Sequence, residues 1–145
     1  MITRAAWVAT VLRCEGTPYL HQGRAPGIGL DCAGPLIWAA RETGLRGAEF
    51  DVNGYPRQPD GSLQPYLEAE LERVPREALG LGDVVLNAYR LGPPRHLAII
   101  VGEAWGQWVL LHASSDTGRV QRERLQYERR FYRYVAGYHV PGVAV

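Results

Sequence analysis

The chain has 145 residues, of which 46% are hydrophobic and 21% charged, and its formal net charge is +1. This length predicts one domain, residues 1–145, with enough apolar side chains to fill a core. The near-neutral charge gives no reason to expect nucleic acid or an anionic membrane as a partner. No apolar run approaches the ~20 residues of a transmembrane helix, so membrane insertion is not expected.

The first half of the chain predicts helices. Apolar residues recur at helical spacing in three segments: residues 3–14, residues 32–43 and residues 65–73. Thr3 is the expected N-cap of the first helix. A glycine-rich loop, residues 19–30, leads into the second helix. A second loop, residues 48–64, is rich in glycine, proline and aspartate, and we expect it to form one wall of a cleft.

The second half predicts strands. Five apolar, β-branched or aromatic runs are separated by turn residues: Val84–Tyr89, His96–Val101, Trp108–His112, Val120–Leu125 and Phe131–Val140. Helices that precede a set of strands joined by short turns indicate an α+β fold with an antiparallel sheet.

A cysteine marks the start of the second helix, within the run Gly29–Gly34. Unpaired N–H groups and the helix dipole favour an anion there, so the sequence predicts a lowered pKa and a reactive thiolate at Cys32. Asp31 is first of all an expected helix cap, and pairing with a cationic amine of a substrate is its second predicted role. Cys14 lies on a core-facing helix and is expected to be structural, although a disulfide with Cys32 stays open.

Two histidines follow far downstream. His96 begins one predicted strand and His112 ends the next, so an antiparallel hairpin would bring both to one edge of the sheet. A cysteine followed by distant histidines is the chain order of papain-like thiol enzymes. The Cys32 backbone N–H and the Tyr19 hydroxyl are the candidate oxyanion donors. A zinc site on the cysteine and both histidines is an alternative, but the paired spacing of common zinc motifs is missing.

Five segments together resemble the NlpC-type cell-wall peptidases, in the same order: Gly16–Tyr19, Gly29–Gly34, Leu81–Val85, His96–Gly102 and Leu111–Ala113. Two more segments, Pro18–Gly23 and Gly54–Arg57, are most similar to the branch of that family found in the tails of long-tailed phages and gene transfer agents.

The resemblance implies a papain-like fold, with N-terminal helices packed on a five- to six-stranded antiparallel sheet. It implies a cysteine peptidase that hydrolyses peptidoglycan stem peptides between D-glutamate and the diamino acid, without a metal or other cofactor. The motif match assigns these roles: Cys32 the nucleophile, His96 the base, His112 the residue that orients it, Tyr19 an oxyanion donor and Asp31 a contact for the substrate's amino group.

The phage-like branch implies a setting as well. The expected partners are peptidoglycan and other tail or baseplate proteins, and the expected location is a phage-like tail, made in the cytoplasm without a signal peptide and acting at the cell wall. Ala33 stands where the family usually has serine, which leaves the peptide specificity open.

Two alternatives stay open. The chain can be a structural tail-tip protein with a vestigial peptidase fold, an interpretation that Ala33 slightly favours. It can also be an acyltransferase or amidase that uses the same residues. A Cys32 thiol no more reactive than free cysteine is expected of the structural protein.

Overall fold

The computed structural model describes residues 1–58, 60–89, 91–127 and 132–145. Phe131, the predicted first residue of the last strand, lies outside the described residues, as does Pro59 of the predicted cleft loop. Three helices precede the main sheet: α1 (Arg4–Leu12), α2 (Gly34–Glu42) and α3 (Leu63–Glu70). Thr3 caps α1 as predicted, since its hydroxyl accepts a hydrogen bond from the Ala6 N–H at 3.0 Å.

The described residues form two separate sheets. A short antiparallel hairpin before α2 consists of β1 (Arg24–Ala25) and β2 (Gly29–Leu30). The main sheet contains β3 (Glu72–Val74), β4 (Val84–Tyr89), β5 (Pro94–Ala104), β6 (Gln107–Ser114), β7 (Arg119–Arg124) and β8 (Tyr132–His139). Its order is β3-β8-β4-β5-β6-β7, and each neighbouring pair is antiparallel. The predicted α+β fold, with helices ahead of an antiparallel sheet, is confirmed.

The predicted range of the third helix, residues 65–73, extended too far at its C-terminal end. α3 ends at Glu70, and residues 72–74 form the edge strand β3. This strand pairs with β8 at the far end of the chain, with Glu72 opposite His139 and Val74 opposite Gly137. Hydrogen bonds to that distant strand override the local helical pattern.

Apolar side chains cover both faces of the central strands. On one face, Trp7 and Val11 of α1 pack with Leu86 and Ile99, and all four are buried. The opposite face carries a second cluster: Leu79, Val85, Ala98, Ile100, Leu110 and Leu125. Burial on both faces makes β4 and β5 a rigid support for the residues at their ends. No helix among the described residues is both long and apolar enough to cross a membrane.

His139 ties the C-terminal strand to the turn before β4. Its Nδ1 lies 2.9 Å from Asp83 Oδ1, and its Nε2 lies 2.8 Å from the Val143 carbonyl oxygen. Arg4 contacts the same aspartate at 3.2 Å. The buried His139 ring therefore joins the C-terminal strand to two other parts of the fold.

The start of α2 packs tightly on the β1–β2 hairpin. A Cβ atom on Gly34 would lie 2.8 Å from the Gly23 carbonyl oxygen and 2.8 Å from Leu30 Cδ2. Only a residue without a side chain fits there, and Cys32 lies two residues earlier. Close packing at this glycine therefore fixes the turn that carries the cysteine.

We expect Gly34→Ala to lower the free energy of unfolding by about 1–3 kcal/mol, the usual cost of overpacking. Gly47→Ala is the matched control, because a Cβ there meets nothing within 4 Å. Its effect should stay within about 0.5–1 kcal/mol. Urea denaturation of the two variants and the original chain measures both changes. Equal stabilities for the two variants would contradict the packing at Gly34.

Candidate active site

A cleft of about 550 Å³ brings the predicted site residues together. Its walls include these five side chains: Tyr19, Asp31, Cys32, His96 and His112. The predicted cleft loop also lines it through residues 55–58 and 60–63, and the end of β6 with the turn that follows contributes residues 114–117. Residues 55–58 and 60–63 of the 48–64 loop therefore line the cleft, as the sequence predicted.

Cys32 occupies the turn that precedes α2 rather than the helix itself. The helix begins at Gly34, and Pro35 in its first turn needs no hydrogen-bond acceptor for its nitrogen. The N–H groups of Ala33 and Gly34 both donate to Asp31 Oδ1, at 3.1 and 3.0 Å. Asp31 thus satisfies the start of the helix, as predicted.

The surroundings of the Cys32 thiol favour its protonated form. Burial, followed by the negative charge of Asp31, raises the pKa of Cys32 to about 11, against a smaller opposing effect of the Leu97 N–H. The predicted lowering of this pKa was wrong. Its physical basis was the free N–H groups of the helix start, and these donate to the Asp31 carboxylate instead.

His96 and His112 form a hydrogen-bonded pair. The Nε2 atom of His96 lies 2.7 Å from Nδ1 of His112, and the two rings are nearly perpendicular, at 85°. The register of β5 and β6 explains the contact, because alternation puts both rings on the face that carries Ala98 and Leu110. Burial, His112 and Arg95 lower the pKa of His96 to about 3, so its imidazole is neutral and can accept a proton.

Glu123 lies next to this histidine pair, and its position there was not predicted from the sequence. Its Oε2 lies 2.9 Å from Nε2 of His112, across the β6–β7 pairing. A carboxylate only accepts, so a hydrogen on Nε2 of His112 suits this contact, and Nδ1 of His112 then accepts from Nε2 of His96. With that tautomer, Nδ1 of His96 is the proton acceptor. The charged pattern of β7 resembles a solvent-facing strand, and only period-two alternation with the buried Leu125 indicated that Glu123 faces inward.

Tyr19 retains a proton that it can donate. Its backbone N–H donates to the Gly118 carbonyl at 2.8 Å, which fixes the residue beside the turn before β7. Burial, and then the charges of Cys32 and Asp31, raise the pKa of the hydroxyl above its ordinary value. An un-ionised phenol beside the cysteine suits the predicted role as oxyanion donor, which stays a prediction.

Both cysteines are free thiols, so the disulfide between them is not formed. Cys14 is fully buried in the core, and burial raises its pKa to about 12. Within the described part of the chain, no group of three or more His, Cys, Asp or Glu side chains is arranged to hold a metal ion. The zinc alternative therefore gains no support.

The surroundings of Asp31 do not suit its predicted contact with an amino group of the substrate. The residue is 1% exposed, and its carboxylate pairs with Arg24 at 3.0 Å. The Tyr55 hydroxyl and the Gln22 N–H donate to its other oxygen. Gln22 adopts left-handed backbone, with φ of 57°, which turns its N–H toward the carboxylate. Nothing in the sequence indicated these contacts between the Asp31 carboxylate and the loop residues.

We expect Cys32 to react slowly with iodoacetamide at neutral pH. A pKa near 11 leaves far less thiolate than in free cysteine, whose pKa is about 8.5, so the rate should be at least about tenfold lower. The rate should rise steadily as the solution is made alkaline. Cys32→Ala is the control that reports any reaction of Cys14. Alkylation faster than free cysteine and independent of pH near neutrality would show a stable thiolate and contradict this account.

No protein-family model matches the chain, and no curated protein matches its sequence. Solved structures do share its fold. The NlpC/p60 domain of the peptidoglycan hydrolase SagA has a TM-score of 0.64 at 20% identity, over 94% of this chain and 98% of that domain. The P60 domain of an antigen from M. avium subspecies paratuberculosis has a TM-score of 0.55 at 18% identity, over 92% of this chain and 93% of that one.

The same fold also forms one part of a larger protein. An NlpC/P60 family protein from Bacillus cereus has a TM-score of 0.66 at 19% identity, and the match covers 94% of this chain but 40% of that one. The similarity in sequence is low throughout, and the similarity in structure extends over nearly the whole of this chain. The chain therefore has the fold of the NlpC/p60 domains.

Proposed function

We propose that this protein is a cysteine peptidase that hydrolyses peptidoglycan stem peptides, at the bond between D-glutamate and the diamino acid. The observation that carries the proposal is the chain of contacts from His96 through His112 to Glu123, which lies in the same cleft as Cys32. The fold shared with a domain of a peptidoglycan hydrolase supports the choice of substrate.

The geometry suits acyl transfer to a thiol. Cys32 Sγ attacks the peptide carbonyl while its proton passes to Nδ1 of His96. The oxyanion that forms accepts hydrogen bonds from the Cys32 N–H and the Tyr19 hydroxyl. His96 then returns the proton to the leaving amine, and a water deprotonated by His96 hydrolyses the thioester.

The surroundings of both reacting groups favour their neutral forms. Burial raises the pKa of Cys32 to about 11 and lowers the pKa of His96 to about 3, which favours the thiol and the imidazole over the thiolate–imidazolium pair. Nε2 of His96 lies 2.7 Å from Nδ1 of His112, and Glu123 lies at the other nitrogen of His112, so these contacts orient the His96 ring for proton transfer. This orientation is the function of the contact chain in the reaction.

Ala33 faces away from the chemistry. Its side chain is 4% exposed and belongs to the apolar core beside Leu36 and Ile37. The departure from the family's usual serine therefore alters the packing behind α2 and not the lining of the cleft. This removes the support that Ala33 gave to a vestigial, structural protein.

For the biological setting, we propose a phage-like tail that carries the peptidase to the cell wall, with other tail or baseplate proteins as partners. The support is the sequence similarity of the two segments Pro18–Gly23 and Gly54–Arg57 to that branch. Both segments contribute side chains to the cleft, among them His21 and Arg57.

The test is incubation with purified muropeptides, followed by mass spectrometry of the products. We expect the intact protein to release peptide fragments and Cys32→Ala to lower kcat by about 10³-fold or more. Cys14→Ala is the matched control and should retain activity, because Cys14 lies in the core outside the cleft. Circular dichroism confirms that both variants are folded.

Two results would overturn the proposal. An intact protein that cleaves no muropeptide would favour the structural alternative, and undiminished cleavage by Cys32→Ala would require another nucleophile. Slow alkylation of Cys32 alone would not separate the alternatives, because burial keeps the thiol protonated in either case.

A further inference from the structure

The carboxylate of Asp31 is saturated by internal donors, although it borders the cleft. Its oxygens accept five hydrogen bonds, from Arg24 Nη1 at 3.0 Å, the N–H groups of Ala33 at 3.1 Å, Gly34 at 3.0 Å and Gln22 at 2.8 Å, and the Tyr55 hydroxyl at 2.5 Å. A carboxylate offers about four lone-pair sites in all. A further donor from a bound ligand finds no acceptor position there.

Arg24 is the cation that contacts Asp31, and its other hydrogen bonds hold its side chain in place. Its Nε donates to Asp51 Oδ1 at 2.9 Å, and Nη2 donates to the Val52 carbonyl at 2.9 Å and the Tyr55 hydroxyl at 2.6 Å. Its Nη1 also reaches the Gly23 carbonyl at 2.9 Å. The side chain is 10% exposed, so its displacement would strand several buried acceptors.

The charged side chains around Asp31 carry equal numbers of positive and negative charges. Two arginines face two aspartates, because Arg41 Nη2 lies 3.8 Å from the same Asp51 oxygen that Arg24 contacts. Although burial acts to lower it, the charge of Asp31 raises the pKa of Arg24, and Arg24 in turn lowers the pKa of Asp51. An ammonium group brought to Asp31 would meet the guanidinium of Arg24 and no uncompensated negative charge.

We infer that the cleft gives a free amino end no advantage over an acylated one, and that Arg24 sets this selectivity by occupying Asp31. A stem peptide still in amide linkage to the glycan strand has an acylated end, whereas a released stem peptide has a free ammonium group. The inference deepens the proposed function and rests on it for the identity of the peptide. It also replaces the predicted contact between Asp31 and a substrate amine.

The first test compares one stem peptide in two forms, with a free and with an acetylated amino end. We expect kcat/KM for the acetylated peptide to equal or exceed that for the free peptide. The ratio should stay constant as the pH is raised through the α-amino pKa of about 7.7–8.0. A tenfold or greater preference for the free peptide, lost as its amine deprotonates, would overturn the inference.

Binding to Cys32→Ala separates this inference from the proposed function. If the intact protein cleaves neither peptide, the peptidase proposal fails, and calorimetric titration of the variant with the two peptides still decides the selectivity. Acetylated peptide that binds at least as tightly as free peptide supports the inference. Tighter binding of the free peptide, or binding of neither, overturns it.

Arg24→Gln tests the residue itself. The neutral side chain leaves Asp31 without its cation, so we expect the preference to move toward the free peptide by tenfold or more. Arg41→Gln is the matched control, because Arg41 contacts Asp51 and not Asp31, and the preference should be unchanged. An Arg24→Gln protein that is folded by circular dichroism and keeps the original preference would overturn the role of Arg24. If this variant does not fold, the two-peptide comparison on the intact protein decides.

Discussion

The five hydrogen bonds on the Asp31 carboxylate join three of the segments that line the cleft. They connect the loop and hairpin before α2, through Gln22 and Arg24, to the start of that helix. Through Tyr55 they also hold the predicted cleft loop. A buried carboxylate is stabilised when donors and a cation surround it, so the ordering of these segments is coupled. Cys32 follows Asp31 directly, and its position depends on the same contacts.

The same carboxylate sets the chemistry beside it. It takes the helix N–H groups that would otherwise stabilise a thiolate, and its charge helps to raise the pKa of Cys32 to about 11. The nucleophile therefore depends on a base for activation. His96 is neutral and supported through His112 by Glu123, so the structure supplies that base. Stability at the start of α2 and reactivity at the sulfur are thus coupled through one side chain.

Much of this could be predicted from the sequence, for identifiable reasons. Strands β4–β8 have strong β patterns between turn residues, and the order of Cys32, His96 and His112 follows a known family. What escaped prediction depends on contacts between distant segments. Strand β3 exists through pairing with β8, and Glu123 reaches His112 across a strand register that local sequence does not specify. The raised pKa of Cys32 follows from burial, which has no local signal.

Hydrogen exchange of an Asp31→Asn variant tests the central claim most directly, that this carboxylate holds the cleft together. The amide keeps the shape but removes the charge and one acceptor oxygen, so Arg24 loses its counter-charge and the donors on either Oδ1 or Oδ2 lose their acceptor. The account predicts exchange about tenfold or more faster in residues 20–24 and 51–58, with β5 and β6 unchanged. Exchange in those two segments equal to that of the original protein would contradict it.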